Sequence, residues 1–143
     1  MSLPQQRVTL ITLGVRDMAR ARAFYEGWGW RLHPRSMDGL ALYQVQGQAL
    51  ALFGRDELAE DQGRPGAALG TGAMTLAQNM GSAAAVDAVF AAGLAAGGTA
   101  LKRPEAVFWG GYSGYFADPD GHVWEIAHNP GWPLAPNGTL TLP

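Results

Sequence analysis

The chain of 143 residues predicts an α+β fold: two βαβββ modules forming a curved eight-stranded mixed sheet, with helices outside and a concave trough inside. Three observations predict it. The order strand, helix, three strands is read twice; an offset of 65 residues places Leu10 on Thr75 and Val15 on Met80, and an offset of 74 places residues 47–52 on 121–126. The 20 glycines sit at separate punctuation points, as short elements joined by tight turns require. One helix covers only one face of a four-stranded unit, so two units side by side can shelter the bare faces.

Each element has its reason. In the first module (7–54), residues 7–15, RVTLITLGV, are β-branched and apolar with period-two stretches, which predicts a strand. Asp17 supplies an N-cap carboxylate, and Met18, Ala21, Phe24, Tyr25 and Trp28 form the apolar stripe of a helix ended by Gly27 and Gly29. Strands follow at 30–35, 39–45 and 49–53, the last two joined through Gln46-Gly47-Gln48. Residues 55–72 form a connector, rich in charge, glycine and proline, with one helical turn at 56–60. In the second module (73–130), a strand at 73–80 precedes the N-cap Ser82. A helix at 83–96 buries Val86, Val89, Phe90 and Leu94 and closes at Gly97-Gly98. Strands at 99–103, 112–117 and 122–128 complete the unit, and 131–143 is a tail.

Composition narrows the function. Ten basic against twelve acidic side chains leave no basic stripe for nucleic acid. Zero cysteine removes disulfides, thiolate nucleophiles and cysteine-bearing zinc sites. No apolar run reaches the roughly 18 residues of a membrane span, and the first residues carry no apolar signal core. A cytoplasmic location is the expectation.

Two segments, LGVRDMARARAFYEGWGW at 13–30 and GGYSGYFADPDGHVWEIAHNP at 110–130, resemble the vicinal oxygen chelate superfamily, the glyoxalase, bleomycin-resistance and extradiol-dioxygenase group. The resemblance runs from about Arg7 to Pro130 and is most specific in DPDGHVWE. It implies the paired βαβββ fold, a homodimer, and a ligand or metal site in the trough. Family members that bind metal carry a His or Glu on the first and last strand of each module. Carried over, those positions are Leu10, Ala51, Thr75 and Glu125. Only Glu125 is a good donor, whereas a catalytic zinc or iron site wants about three protein ligands. No metal or other cofactor is therefore expected. His122 and His128, six residues apart on one strand, stand about 20 Å from each other and cannot share an ion.

Alternation around an inward Glu125 predicts the trough lining. Val123, Glu125 and Ala127 share its face, and Trp124 and Ile126 point to the helix layer. Reading Asp118-Pro119-Asp120-Gly121 as a four-residue loop puts Phe116 opposite Val123, Gly114 opposite Glu125 and Tyr112 opposite Ala127, with Gly114 leaving room over the carboxylate. In the first module, Val45 opposite Ala49 puts Tyr43 across from Ala51 and Ala41 across from Phe53. The expected ligand contacts are Tyr43, Phe53, Thr75, Asn79, Trp109, Tyr112, Phe116 and Glu125.

This lining suits a small, flat, partly apolar ligand, with an amine favoured by Glu125 and the aromatic faces. A buried carboxylate must be paired, protonated or used, and Arg103 is a candidate partner. The expected function is thus metal-free binding of a small molecule. The alternative is a lyase or isomerase with Glu125 as general base and Asn79 or Tyr112 as electrophilic donor. A metal-dependent glyoxalase or dioxygenase ranks third, because Leu10 and Ala51 bring no donor.

Overall fold

The computed structural model describes residues 5–143 and contains two sheets. In the first, β1 (Leu10–Val15) lies parallel beside β3 (Gln48–Gly54), which pairs antiparallel with β2 (Leu40–Val45). In the second, β4 (Thr75–Asn79) lies parallel beside β7 (Val123–His128), followed antiparallel by β6 (Tyr112–Ala117) and β5 (Thr99–Ala106). Both sheets thus place the module's first strand beside its last, although only the second module has three strands after its helix. Helix α1 (Met18–Gly27) is capped by Asp17, whose side chain accepts from the Arg20 amide, and α3 (Ala83–Ala95) is capped in the same way by Ser82. The connector forms α2 (Arg55–Asp61), longer than the single turn expected.

The expected eight strands become seven among the described residues, in sheets of three and four. Residues 30–35 make one isolated bridge, Leu32 to Tyr43, closed by the His33 amide on the Leu42 carbonyl. Pro34 has no N–H to continue the ladder, so pairing ends there. On the other edge β5 runs on past Arg103 to Ala106, with irregular pairing around Pro104, which an edge strand tolerates.

The helix-bearing faces of both modules meet in one core. Phe24 of α1 contacts Phe116 of β6 at a centroid distance of 5.9 Å, and Trp28 stands edge-on to Trp124 at 5.1 Å. The Trp28 indole N–H donates to the Val89 carbonyl of α3. The faces opposite this core, one on each sheet, stay partly open: Leu10 is 48% exposed, and Thr75 and Ala77 are exposed.

The DPDGH segment locks the modules together. Asp118 is buried and accepts from the Tyr25 hydroxyl at 2.6 Å and from the Asp120 and His122 amides at 2.9 Å each. The Tyr25 oxygen in turn accepts from Trp124 Nε1 at 3.1 Å. Burial first, and then the Asp118 charge, push the Tyr25 phenol far above its ordinary range, so it stays a donor. Buried Asp120 takes the Arg16 amide at 2.8 Å and the Arg20 guanidinium at 3.3 Å, tying the β1–α1 turn to the β6–β7 loop.

Both hairpin registers differ by one residue from expectation. Asp118 N–H donates to the His122 carbonyl, and Gly121 takes φ 96°, so the loop is three residues, a type I turn followed by a left-handed glycine. Tyr115 therefore faces Glu125, Gly114 faces Ile126, Tyr112 faces His128 and Phe116 faces Trp124. In the first module Gln46-Gly47 is a two-residue turn, with Gly47 at φ 76°, so Tyr43 pairs with Leu50 and Ala41 with Leu52. A one-residue slip turns every side chain of the partner strand to the other face.

Gly114 consequently does not clear space above a carboxylate. A Cβ there would stand 2.7 Å from the Pro104 nitrogen and 2.9 Å from the Lys102 carbonyl, both backbone. Gly114→Ala should cost about 1–3 kcal/mol by forcing β5 outward, read as a lowered Tm; an unchanged Tm would show that β5 yields freely.

Candidate functional site

The second sheet's open face carries a carboxylate beside a phenol. Register puts Ala77, Glu125 and Tyr115 side by side across β4, β7 and β6, with Lys102 of β5 next to Tyr115. Glu125 and Tyr115 are half-buried. Burial, followed by the Glu125 charge and its hydrogen bonding, raises the Tyr115 phenol above its usual range, which keeps it protonated at neutral pH. Lys102 is committed to Glu105 at 3.2 Å, and among the described residues no Lys or Arg pairs with Glu125, Arg103 included. The result is a carboxylate beside a phenol donor, flanked by the small side chains of Ala77 and Ala127.

The expected contacts separate into two groups. Thr75 and Asn79 share the Glu125 face through the β4–β7 register, and half-buried Phe53 lies on the corresponding open face of the first sheet. Tyr43 and Phe116 lie in the core instead, at 1% and 0% exposure, because the shorter hairpins turned them to the helix side. Tyr43 donates to Glu26 at 3.0 Å, and Tyr112 donates to Asp87 of α3 at 2.7 Å, so neither phenol is near Glu125. Trp109 is partly exposed in the β5–β6 turn and covers Gly111.

Sequence reasoning missed Tyr115. The signal was present: Pro and Gly at the second and fourth positions of DPDG favour a type I turn, and a left-handed glycine after it makes a three-residue loop.

Glu26 shows how the core phenols are held. Arg22 Nε donates to it at 2.8 Å, and this bond, reinforced by Tyr43, holds its carboxyl below the usual range against the opposing effect of burial. A depressed carboxyl stabilises the fold above its unfolded pKa and loses that contribution as pH falls through the folded value. Glu26→Gln should therefore unfold more easily than the parent at pH 7, the gap closing below about pH 4. Denaturant titrations at both pH values check this; a gap independent of pH would contradict it.

The donor set does not fit a resident divalent ion. Leu10 and Ala51 have no donor atoms in their side chains, and Thr75 is a weak ligand. Among the described residues no three His, Asp or Glu side chains cluster. The histidines serve the backbone: His122 Nε2 is 2.8 Å from the Gly14 carbonyl oxygen, His128 Nδ1 is 3.0 Å from that of Met80, and His33 Nδ1 accepts from the Arg35 amide.

A cavity of about 480 Å³ lies between α2, the connector and the start of β7. Its polar groups are largely engaged, Arg55 with the Asp120 carbonyl and His122 with Gly14. A second cavity, of about 580 Å³, follows the seam between the modules under the tail. Among the described residues no helix is long and apolar enough to cross a membrane.

Comparison with known proteins gives the lineage. The chain is 40% identical to a glyoxalase-related enzyme from Fulvimarina pelagi, with a TM-score of 0.87 over 96% of this chain and 99% of that one. A lactoylglutathione lyase from Agrobacterium tumefaciens shares the fold at 22% identity, with a TM-score of 0.67 over 89% of this chain and 96% of the other. A fosfomycin resistance protein from Mesorhizobium loti shares it at 19% identity, with a TM-score of 0.65 over 88% and 94%. No curated protein matches the chain. The model of the Glyoxalase/Bleomycin resistance protein/Dioxygenase superfamily matches residues 7–126, and the chain belongs to that superfamily.

Proposed function

We propose that this protein binds a small, flat, partly apolar molecule on the open face of its second sheet, through Glu125 and without a resident catalytic metal. One observation carries the reading: Glu125 is half-buried beside Tyr115, has no cationic partner among the described residues, and occupies the one family ligand position that kept a strong donor. An unpaired carboxylate favours an amine or other cation, and the neighbouring alanines leave room for a flat ring. Exposed Leu10, Thr75 and Ala77 support completion of the trough by a second copy, in a cytoplasmic homodimer.

A second reading rests on Tyr115. A carboxylate base beside a protonated phenol can take a proton next to a carbonyl while the phenol donates to the developing enolate oxygen, which is metal-independent lyase or isomerase chemistry. Tyr115 takes the donor role expected of Tyr112, whose hydroxyl is held by Asp87.

The test is thermal unfolding against a panel of amine-bearing planar aromatics, with a chelator present throughout. The proposal expects at least one to raise Tm in the chelator; about 2.7 kcal/mol of stabilisation accompanies a ligand at 100 times its Kd. Stabilisation only when zinc, nickel or iron replaces the chelator, or by no compound in the panel, would overturn it.

A further inference from the structure

The seam cavity is built differently from the Glu125 face. Trp30 and Trp124 meet edge to face at 5.6 Å and form a corner. The tail supplies the opposite wall: Leu134 bridges to Leu140, Gln46 Nε2 holds the Asn137 carbonyl at 3.0 Å, and Trp132 is 41% exposed beside the opening. Among the described residues the lining contains no charged side chain. Its volume of about 580 Å³ falls among small-molecule sites.

Two sets of polar groups beside this space have no hydrogen-bond partner among the described residues. Gln48 Oε1 is buried and accepts no hydrogen bond. The other set is backbone. β4 is an edge strand paired only with β7, and the Met80 amide donates toward β7, to the Ala127 carbonyl. Alternation then directs the N–H and C=O of Ala77 and Asn79 to the free edge, where both residues line the cavity. An unmet buried acceptor is costly, so a ligand that donates to it is favoured.

We propose that the seam between the modules is a separate binding site for a neutral planar cyclic amide, its ring against the indoles and its amide edge on Gln48 and the free edge of β4. Neutrality follows from the uncharged lining, planarity from the indole corner, and the adjacent donor and acceptor from the edge-strand pattern. The site lies on the Trp124 side of β7, opposite Glu125, and does not depend on the reading of that face.

The test is calorimetric titration of the whole protein with 2-quinolone, a neutral fused lactam, and with naphthalene, a ring pair of similar size lacking the amide. Saturable binding of 2-quinolone is expected, at least tenfold tighter than naphthalene. Gln48→Leu, which removes an orphaned acceptor, should leave Tm equal or higher yet weaken 2-quinolone at least fivefold. Trp132→Ala, on the half-exposed tail, should weaken it similarly with an unchanged circular dichroism spectrum. Absence of saturable binding, equal affinity for naphthalene, or full affinity in both variants would overturn the proposal.

Discussion

Asp118→Ala is expected to lower Tm by roughly 10 °C, the consequence of a loss of about 3–5 kcal/mol. Three donors converge on that carboxylate: the Tyr25 hydroxyl, the Asp120 amide and the His122 amide. Alanine leaves them buried without an acceptor and loosens the loop that also carries Asp120 to Arg16 and Arg20. Tyr25→Phe separates the parts. It removes one donor to Asp118 and the acceptor of Trp124 Nε1 while keeping the ring in the aromatic core, so a smaller loss of about 1–2 kcal/mol is expected. Thermal unfolding of both variants checks the order; a change within about 2 °C for Asp118→Ala, equivalent to about half a kcal/mol, would mean that the loop does not clamp the modules.

The second large effect belongs to Glu125→Gln. The substitution keeps size and polarity but removes the charge, so a ligand amine loses a charge-assisted hydrogen bond of about 1.5–3 kcal/mol. Affinity should fall about 10- to 100-fold. Stability should stay within about 1 kcal/mol, because among the described residues no cation pairs with this carboxylate. If the protein also catalyses proton transfer, kcat falls far more than KM rises, and Tyr115→Phe lowers kcat with it. Titration calorimetry, steady-state kinetics and thermal unfolding of the same preparations read these effects. Unchanged affinity for amine ligands in Glu125→Gln would remove the carboxylate from the site.

The duplicated module was legible because its signals are local and strong. Asp17 and Ser82 cap their helices as their side-chain chemistry favours, and the repeated apolar strands place β1 beside β3 and β4 beside β7. The face of Glu125 was also legible, since Trp124 and Ile126 are buried on the opposite side. Its neighbours were not. Each hairpin depends on a single loop residue, and a loop shorter by one at Gly47 and at Gly121 replaced Gly114 with Tyr115 and turned Tyr43 and Phe116 into the core. The joining of the modules was illegible for another reason. Asp118 and Asp120 fit a surface turn by their local chemistry, and only the arrival of Tyr25, Arg16 and Arg20, about a hundred residues earlier in the chain, makes them buried anchors.

The most direct measurement is a crystal structure of chelator-treated protein soaked with the panel compound that most raises Tm. The account predicts ligand density on the open face of the second sheet, with a nitrogen within hydrogen-bonding distance of the Glu125 carboxylate and no metal ion beside it. Density for that compound elsewhere, or a divalent ion coordinated by Glu125, would contradict it.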